Sequence, residues 1–229
     1  MVASNRASAA KQAGTRPARG EHTRLKILDA ALDIMIEDGM RAVRHRAVAK
    51  RAGVALGSTT YHFSNIEELI ISAFQYWRGK ALMIDSPFFR ESAELLAPYG
   101  DGVVPDADRP RIAAALYRSS VGYLRSQLTS KRDDRLLELA FHHESVRYPA
   151  LHELVMSEWK NQLDHLEFLH RAMGSPQPRE DARITYSLFR QLEQSAVLEN
   201  GQRLNVKRIS LTLQRYVNLC FGVELAFVD

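Results

Sequence analysis

The chain has 229 residues, 45% of them hydrophobic, with 31 Lys/Arg against 27 Asp/Glu. That supplies a sizeable core, in one large domain or a small domain joined to a larger one. Its single cysteine, Cys220, excludes an internal disulfide and suits a reducing cytoplasm, and no run approaches the 18 or so apolar residues of a membrane span.

The net charge of +4 is unevenly placed: residues 1–63 hold 11 Lys/Arg and 5 Asp/Glu, and the remainder holds 20 and 22. A basic front end on a slightly acidic body points to an anionic partner for the front end only, although a solvated basic tail would give the same bias. Residues 1–20, rich in Ala, Ser, Gly and Arg/Lys and without the apolar middle of a signal peptide, read as a disordered basic tail.

From Thr23 the apolar residues recur at helical spacing (Leu25, Leu28, Leu32, Met35), and Gly39 supplies a C-terminal stop. A second helix is expected over Arg44–Ala52, ended by Gly53, and a third over Leu56–His62. A fourth starts near Ser64, where Ser64/Glu67 and Asn65/Glu68 both have capping-box spacing, and runs through Phe74 and Trp77. Prolines and glycines break residues 85–110 around one short helix near Phe88–Ala97. Long helices then follow over Arg111–Leu128, Asp133–Arg147, Ala150–Met173, Glu180–Glu199 and Asn205–Ala226, with linkers at 174–178 and Asn200–Gly201. Strand-like alternation is scarce, so the expected class is all-α.

The stretch RAGVALGSTTYHF (51–63) is too polar for a core segment and too short to stand alone as a helix. Two short helices joined by a glycine turn, after an amphipathic first helix, describe a helix-turn-helix, whose second helix enters the DNA major groove. Ala52 lets the helices approach, Gly53 takes the turn conformation, and Val54 and Phe63 pin the short helix to the bundle. Leu56, Ser58, Thr60, Tyr61 and His62 are left to face outward, with hydroxyls and an imidazole suited to phosphates and base edges.

Residues 27–70 resemble the DNA-binding domain of the tetracycline-repressor (TetR) family. The resemblance is carried by Ile27, Ala30–Ala31, Glu37–Asp38–Gly39, Val48–Ala49, Ala52–Gly53–Val54, Gly57–Ser58, Tyr61–His62–Phe63 and Glu67–Glu68–Leu69. It implies a three-helix DNA-binding domain over 21–66 and a larger helical ligand-binding and dimerisation domain over 67–229. The chain departs from the family at four places: Arg44 stands where a phosphate-binding Thr is usual, Thr60 where the first of two tyrosines is usual, Ile66 replaces a Lys, and Ala55 replaces a polar N-cap. Phosphate contacts are therefore assigned to Arg44, Arg46, Ser58, Tyr61 and His62, with help from Arg16 and Arg19. Base reading is assigned to Leu56, Thr59 and Thr60, Leu56 suiting a thymine methyl.

A two-turn reading helix makes few base contacts, so a homodimer on a near-palindromic operator is expected. Ile184, Leu188 and Leu192 form a stripe on the penultimate helix, and Leu211, Leu219 and Val223, with Tyr216, form stripes on the last; the resemblance implies that these two helices make a four-helix bundle with a second copy. It also implies a small-molecule effector cavity, for which Phe74, Trp77, Tyr117, Tyr123, Phe141, His142 and Trp159 are candidates beside Met83 and Met156; all of these also suit plain core filling.

No cofactor is expected. Glu138 and His142 lie one helical turn apart, but no HExxH or Cys/His set accompanies them, and no nucleophile motif occurs, so neither a metal site nor catalysis is supported. The leading reading is a cytoplasmic, ligand-responsive dimeric repressor. The alternatives are a sequence-tolerant architectural DNA-binding protein, and an all-α ligand-binding or enzymatic protein whose helix-turn-helix is only structural.

Overall fold

A computed structural model describes residues 19–80, 87–129, 131–198 and 206–226. These contain ten α-helices: α1 (Arg19–Asp38), α2 (His45–Ala52), α3 (Leu56–His62), α4 (Ile66–Lys80), α5 (Pro87–Leu96), α6 (Arg109–Thr129), α7 (Arg132–Ser145), α8 (Pro149–Ala172), α9 (Pro178–Leu198) and α10 (Val206–Phe221). No strand occurs among the described residues, and none of their helices is long and apolar enough to cross a membrane. The basic tail with Arg16, the Met83 position and the Asn200–Gly201 turn lie outside the described residues.

The buried side chains fall into two clusters. In the first, Ile27, Leu28, Ala31, Ile34 and Met35 of α1 recur at three- and four-residue spacing and face Val48 of α2, Phe63, and Leu69, Ile70 and Phe74 of α4. The short connections are set locally. Gly53 has φ 65°, and its N–H and that of Val54 donate to the carbonyls of Lys50 (3.4 Å) and Ala49 (3.0 Å), the paired bonds of a left-handed helix stop. Arg51 then ties the end of α2 to Glu37 of α1 at 2.6 Å. Of the two capping spacings before α4, Asn65/Glu68 is realised. Asn65 Oδ1 accepts from the Glu68 N–H (2.8 Å), and the Glu68 carboxylate accepts from the N–H and hydroxyl of Ser64 (2.7 and 2.6 Å). Helix α2 starts one residue later than the sequence suggests, because Arg44 is extended (φ −139°, ψ 145°) and serves as its N-cap.

The first cluster does not stop at residue 66. It runs along α4 to Trp77 and takes in Leu137 and Phe141 of α7 and Leu151 and Val155 of α8. Phe74, Trp77 and Phe141 form an aromatic trio with ring centroids 5.2–6.0 Å apart, and the Trp77 indole N–H donates to Asp134 at 2.9 Å. These three rings, expected to wall a ligand cavity, pack on one another in the core and fasten α4 to α7.

The second cluster joins α5, α6, α8, α9 and α10 around Phe88, Ile112, Leu116, Leu124, Leu166, Leu213 and Phe221. Tyr117 is buried within it. At its α8–α9–α10 junction, fully buried His170 meets the Thr185 hydroxyl (2.6 Å) and the Tyr216 hydroxyl (3.3 Å). Tyr216 therefore faces inward, away from the stripe expected on the last helix. Burial pushes the His170 imidazole down to about 4, with Asp181 opposing weakly.

Phe141→Ala should cost about 3–5 kcal/mol of unfolding free energy, measured by denaturant titration, because a fully buried ring leaves a cavity under α4. His170 is neutral in the fold, so its stabilising contribution is intact above the unfolded value of 6.5 and is lost as pH falls towards 4. Between pH 7 and pH 5 the wild type should lose about 2 kcal/mol more than His170→Gln, read from urea midpoints at the two pH values.

Candidate functional site

Helix α3 has seven residues, too few to persist unless packed. Thr59 and Phe63, four apart, form its inward row. Phe63 is buried in the first cluster, and Thr59 is 0% exposed with its hydroxyl donating to the Leu56 carbonyl at 2.7 Å. Thr59 is thus withdrawn from base reading, contrary to the sequence-based expectation. Its four-residue offset from Phe63, itself assigned to the core, was the available signal.

The outward rows are Leu56/Thr60 and Gly57/Tyr61. Tyr61 is 83% exposed and Leu56 43%, and Thr60 is exposed while sharing its hydroxyl with the Gly57 carbonyl at 3.2 Å. Ser58 and His62 sit half-buried at the flanks, and the His62 ring meets that of Tyr61 edge-on at 5.2 Å. Gly57, which sequence reasoning passed over as a contact position, has nothing within 4 Å of where a side chain would begin. This bare patch of backbone lets a partner approach closely. Arg44 and Arg46 are exposed at the start of α2. Ile66 is half-buried against the first cluster and cannot act as the family's lysine. Arg19 opens α1.

The remaining ligand candidates separate in space. The Tyr123 hydroxyl donates to Glu193 at 3.2 Å, and its ring lies 5.8 Å from Phe88 and 6.0 Å from Phe189. His142 borders a small cavity with Arg135, Glu138 and Arg190. Burial lowers its pKa, with Glu138 opposing and three arginines assisting. Trp159 lies on an outer groove, its ring 5.9 Å from Tyr186.

Sequence reasoning missed the charges between them. Glu138 pairs with Arg135 and Arg190, both at 2.5 Å, and Glu193 pairs with Arg190 at 3.0 Å and Arg135 at 3.5 Å. Burial alone would raise the Glu138 carboxyl, yet Arg190 and Arg135 hold it at about 2; for Glu193 burial prevails and its pKa is raised. Three-residue spacing on a helix is the same for a buried pair as for a solvent-facing one, so the sequence carries no signal for these pairs. Among the described residues no group of three or more His, Cys, Asp or Glu is placed to hold a metal ion.

The expected dimer stripes divide. Ile184 (54% exposed), Leu211 and Leu219 (64% exposed) face outward, and Leu188 is half-buried. Leu192 and Val223 are buried in the second cluster instead. Leu192 is eight residues from Ile184, so helical drift turns it inward. Val223 follows the end of α10 and Gly222 (φ 62°), where the chain folds back so that its N–H donates to the Asn218 carbonyl at 3.3 Å.

Among the described residues, a short exposed helix beyond a glycine turn in an all-α fold is the arrangement of a helix-turn-helix. Residues 27–73 match the model of the bacterial regulatory proteins of the tetR family. The fatty acid metabolism regulator protein of Bacillus subtilis (strain 168) is 36% identical over 56 residues; the match covers 24% of this chain and 29% of that protein's length. A transcriptional regulator from Rhodococcus sp. Rha1 has the same fold, with a TM-score of 0.61 at 19% identity over 89% of this chain and 99% of that one. The multidrug binding protein EbrR, complexed with imidazole, gives 0.52 at 25% identity over 89% and 95%.

Tyr61→Phe should weaken binding to all duplexes by a similar factor, as loss of a phosphate contact does, whereas Thr60→Ala should alter the preference among site variants. Fluorescence-anisotropy titrations on a panel of operator variants distinguish the two outcomes, and unchanged binding in both variants would refute this assignment of the exposed face.

Proposed function

We propose that this protein is a dimeric, ligand-responsive transcriptional repressor that reads a near-palindromic operator through α3 in the major groove. The observation that carries the reading is the outward face of α3: Leu56, Gly57, Thr60 and Tyr61 project from a helix whose other side is locked into the core. Arg44 and Arg46 flank it for phosphates, and Leu56, Thr60 and the open backbone at Gly57 meet base edges.

The smallness of this face argues for two copies. Each good base contact is worth roughly 1–3 kcal/mol, and a few of them fall short of a specific affinity near 10⁻⁸–10⁻¹¹ M. Ile184, Leu211 and Leu219 leave apolar surface on α9 and α10 that a symmetry mate would cover. Small-molecule control finds support in EbrR, a multidrug binding protein of similar fold seen with a bound imidazole. Helix α4 is the mechanical link in this reading. Its apolar face belongs to the core that holds α3, while its Arg78 pairs with Glu158 of α8 next to the buried charges of α7 and α9. A ligand that shifts those charges would tilt α4 and change the spacing of two paired α3 helices.

At physiological salt the protein should favour one palindrome over random duplex by at least about a thousandfold. Equal affinity for both would favour the architectural alternative. The double change Ile184→Glu, Leu219→Glu should give a monomer by analytical ultracentrifugation, with unchanged helical circular dichroism and loss of operator binding.

A further inference from the structure

Helix α3 ends on a line of rings. Exposed Tyr61 meets His62 edge-on at 5.2 Å, and His62 lies 6.3 Å from Phe63, which is buried. The line finishes on α1. There the Arg24 guanidinium lies over the Phe63 ring, 5.4 Å from its centroid. The fold thus carries a cation from α1 to the corner where α3 stops and α4 begins.

Arg24 is held at this corner without being neutralised. Its one ion pair among the described residues, with Glu21 on the same helix, is long at 3.8 Å and part-exposed. The other acid at the corner, Glu68, is occupied: the Ser64 N–H and hydroxyl both donate to it. They hold its carboxyl below the usual range, with a smaller pull from Arg24. By contrast, Arg51 and Lys80 are committed to Glu37 and Asp29 at 2.6 and 2.8 Å. A guanidinium that rests its face on a ring keeps its N–H donors at its edge, where phosphate oxygens can accept from them. The ring also restricts the side chain before a partner arrives, which lowers the entropy lost on binding.

The position matters because a helix in the major groove has a phosphate strand on each side. Arg44 and Arg46 open α2, the element before α3. On the far side of α3 the sequence supplies nothing equivalent. Residues 63–77 contain no Lys, Arg or His, and Glu67 and Glu68 stand exposed there. Without a cation brought from elsewhere, this end of α3 would meet a phosphate strand with acids alone.

We propose that Arg24 is the phosphate anchor for the carboxy-terminal end of α3: its guanidinium, seated on the Phe63 ring, holds the DNA strand on the side away from Arg44 and Arg46. The inference rests on the reading of α3 as the helix in the major groove, and it specifies how that helix is kept in register. Phosphate contacts position a reading helix, and base contacts then specify the sequence.

Salt titration of the full chain on a mixed-sequence DNA duplex tests this, because each lost phosphate contact lowers the slope of log affinity against log salt by about 0.9. Arg24→Met keeps an apolar cover on Phe63 and removes the charge. It should weaken binding about tenfold near physiological salt and lower the slope by about 1 for each protomer bound. Arg24→Lys keeps the charge and should retain the wild-type slope. Lys26→Met removes the same charge from the opposite, exposed side of α1, and should change the slope by less than about half as much. Loss of slope in Arg24→Lys, or equal losses in Arg24→Met and Lys26→Met, would overturn the proposal. A wild type that binds no duplex overturns it together with the reading of α3. A wild type that binds, with its slope kept by Arg24→Met, overturns the Arg24 assignment alone and leaves the ring contact a purely structural one.

Discussion

Two arginines and two glutamates withdrawn from water where α7 meets α9 constrain much of this molecule. A buried ion costs several kcal/mol unless its partner is held in good geometry. Arg135, Glu138, Arg190 and Glu193 meet that condition only if α7 and α9 keep their crossing, and the Tyr123 hydroxyl brings α6 into the same arrangement. The Arg78–Glu158 pair extends the constraint from α8 to α4. Hydrophobic burial supplies most of the driving force.

Helix α4 belongs to both regimes. Leu69, Ile70 and Phe74 are part of the core that positions α3, whereas Trp77 and Arg78 reach Asp134 and Glu158 in the carboxy-terminal helices. The boundary between a DNA-binding unit and the remainder is therefore a shared helix rather than a linker. Under the proposed function, this continuity is what allows a small displacement near Arg190 to be felt at α3, since packed interfaces respond as units.

Helix α3 owes its shape to its surroundings. Seven residues with an uncapped start do not hold a helix in water; Phe63, Thr59 and the Gly53 stop hold it from one side. The same support limits what the opposite side can offer, leaving four outward positions, one of them glycine. Under the proposed function, the apolar residues left on α9 and α10 matter because pairing two such helices multiplies a modest contact.

Local patterning was enough to read the all-α class, nearly every helix, the glycine turn and the exposure of Leu56, Thr60 and Tyr61 from the residues alone, because helical periodicity and capping act within a few positions. It failed where distant segments decide. Thr59 has the chemistry of a base reader but lies on the inward row. Phe74, Trp77 and Phe141 have the composition of a ligand wall yet pack on one another, and Leu192 and Val223 fit a surface stripe yet close the core. The Arg135–Glu138 and Arg190–Glu193 pairs show the limit most clearly. Their three-residue spacing is the same in water as in a core, and only the approach of α7 to α9 removes the solvent that would have made them ordinary.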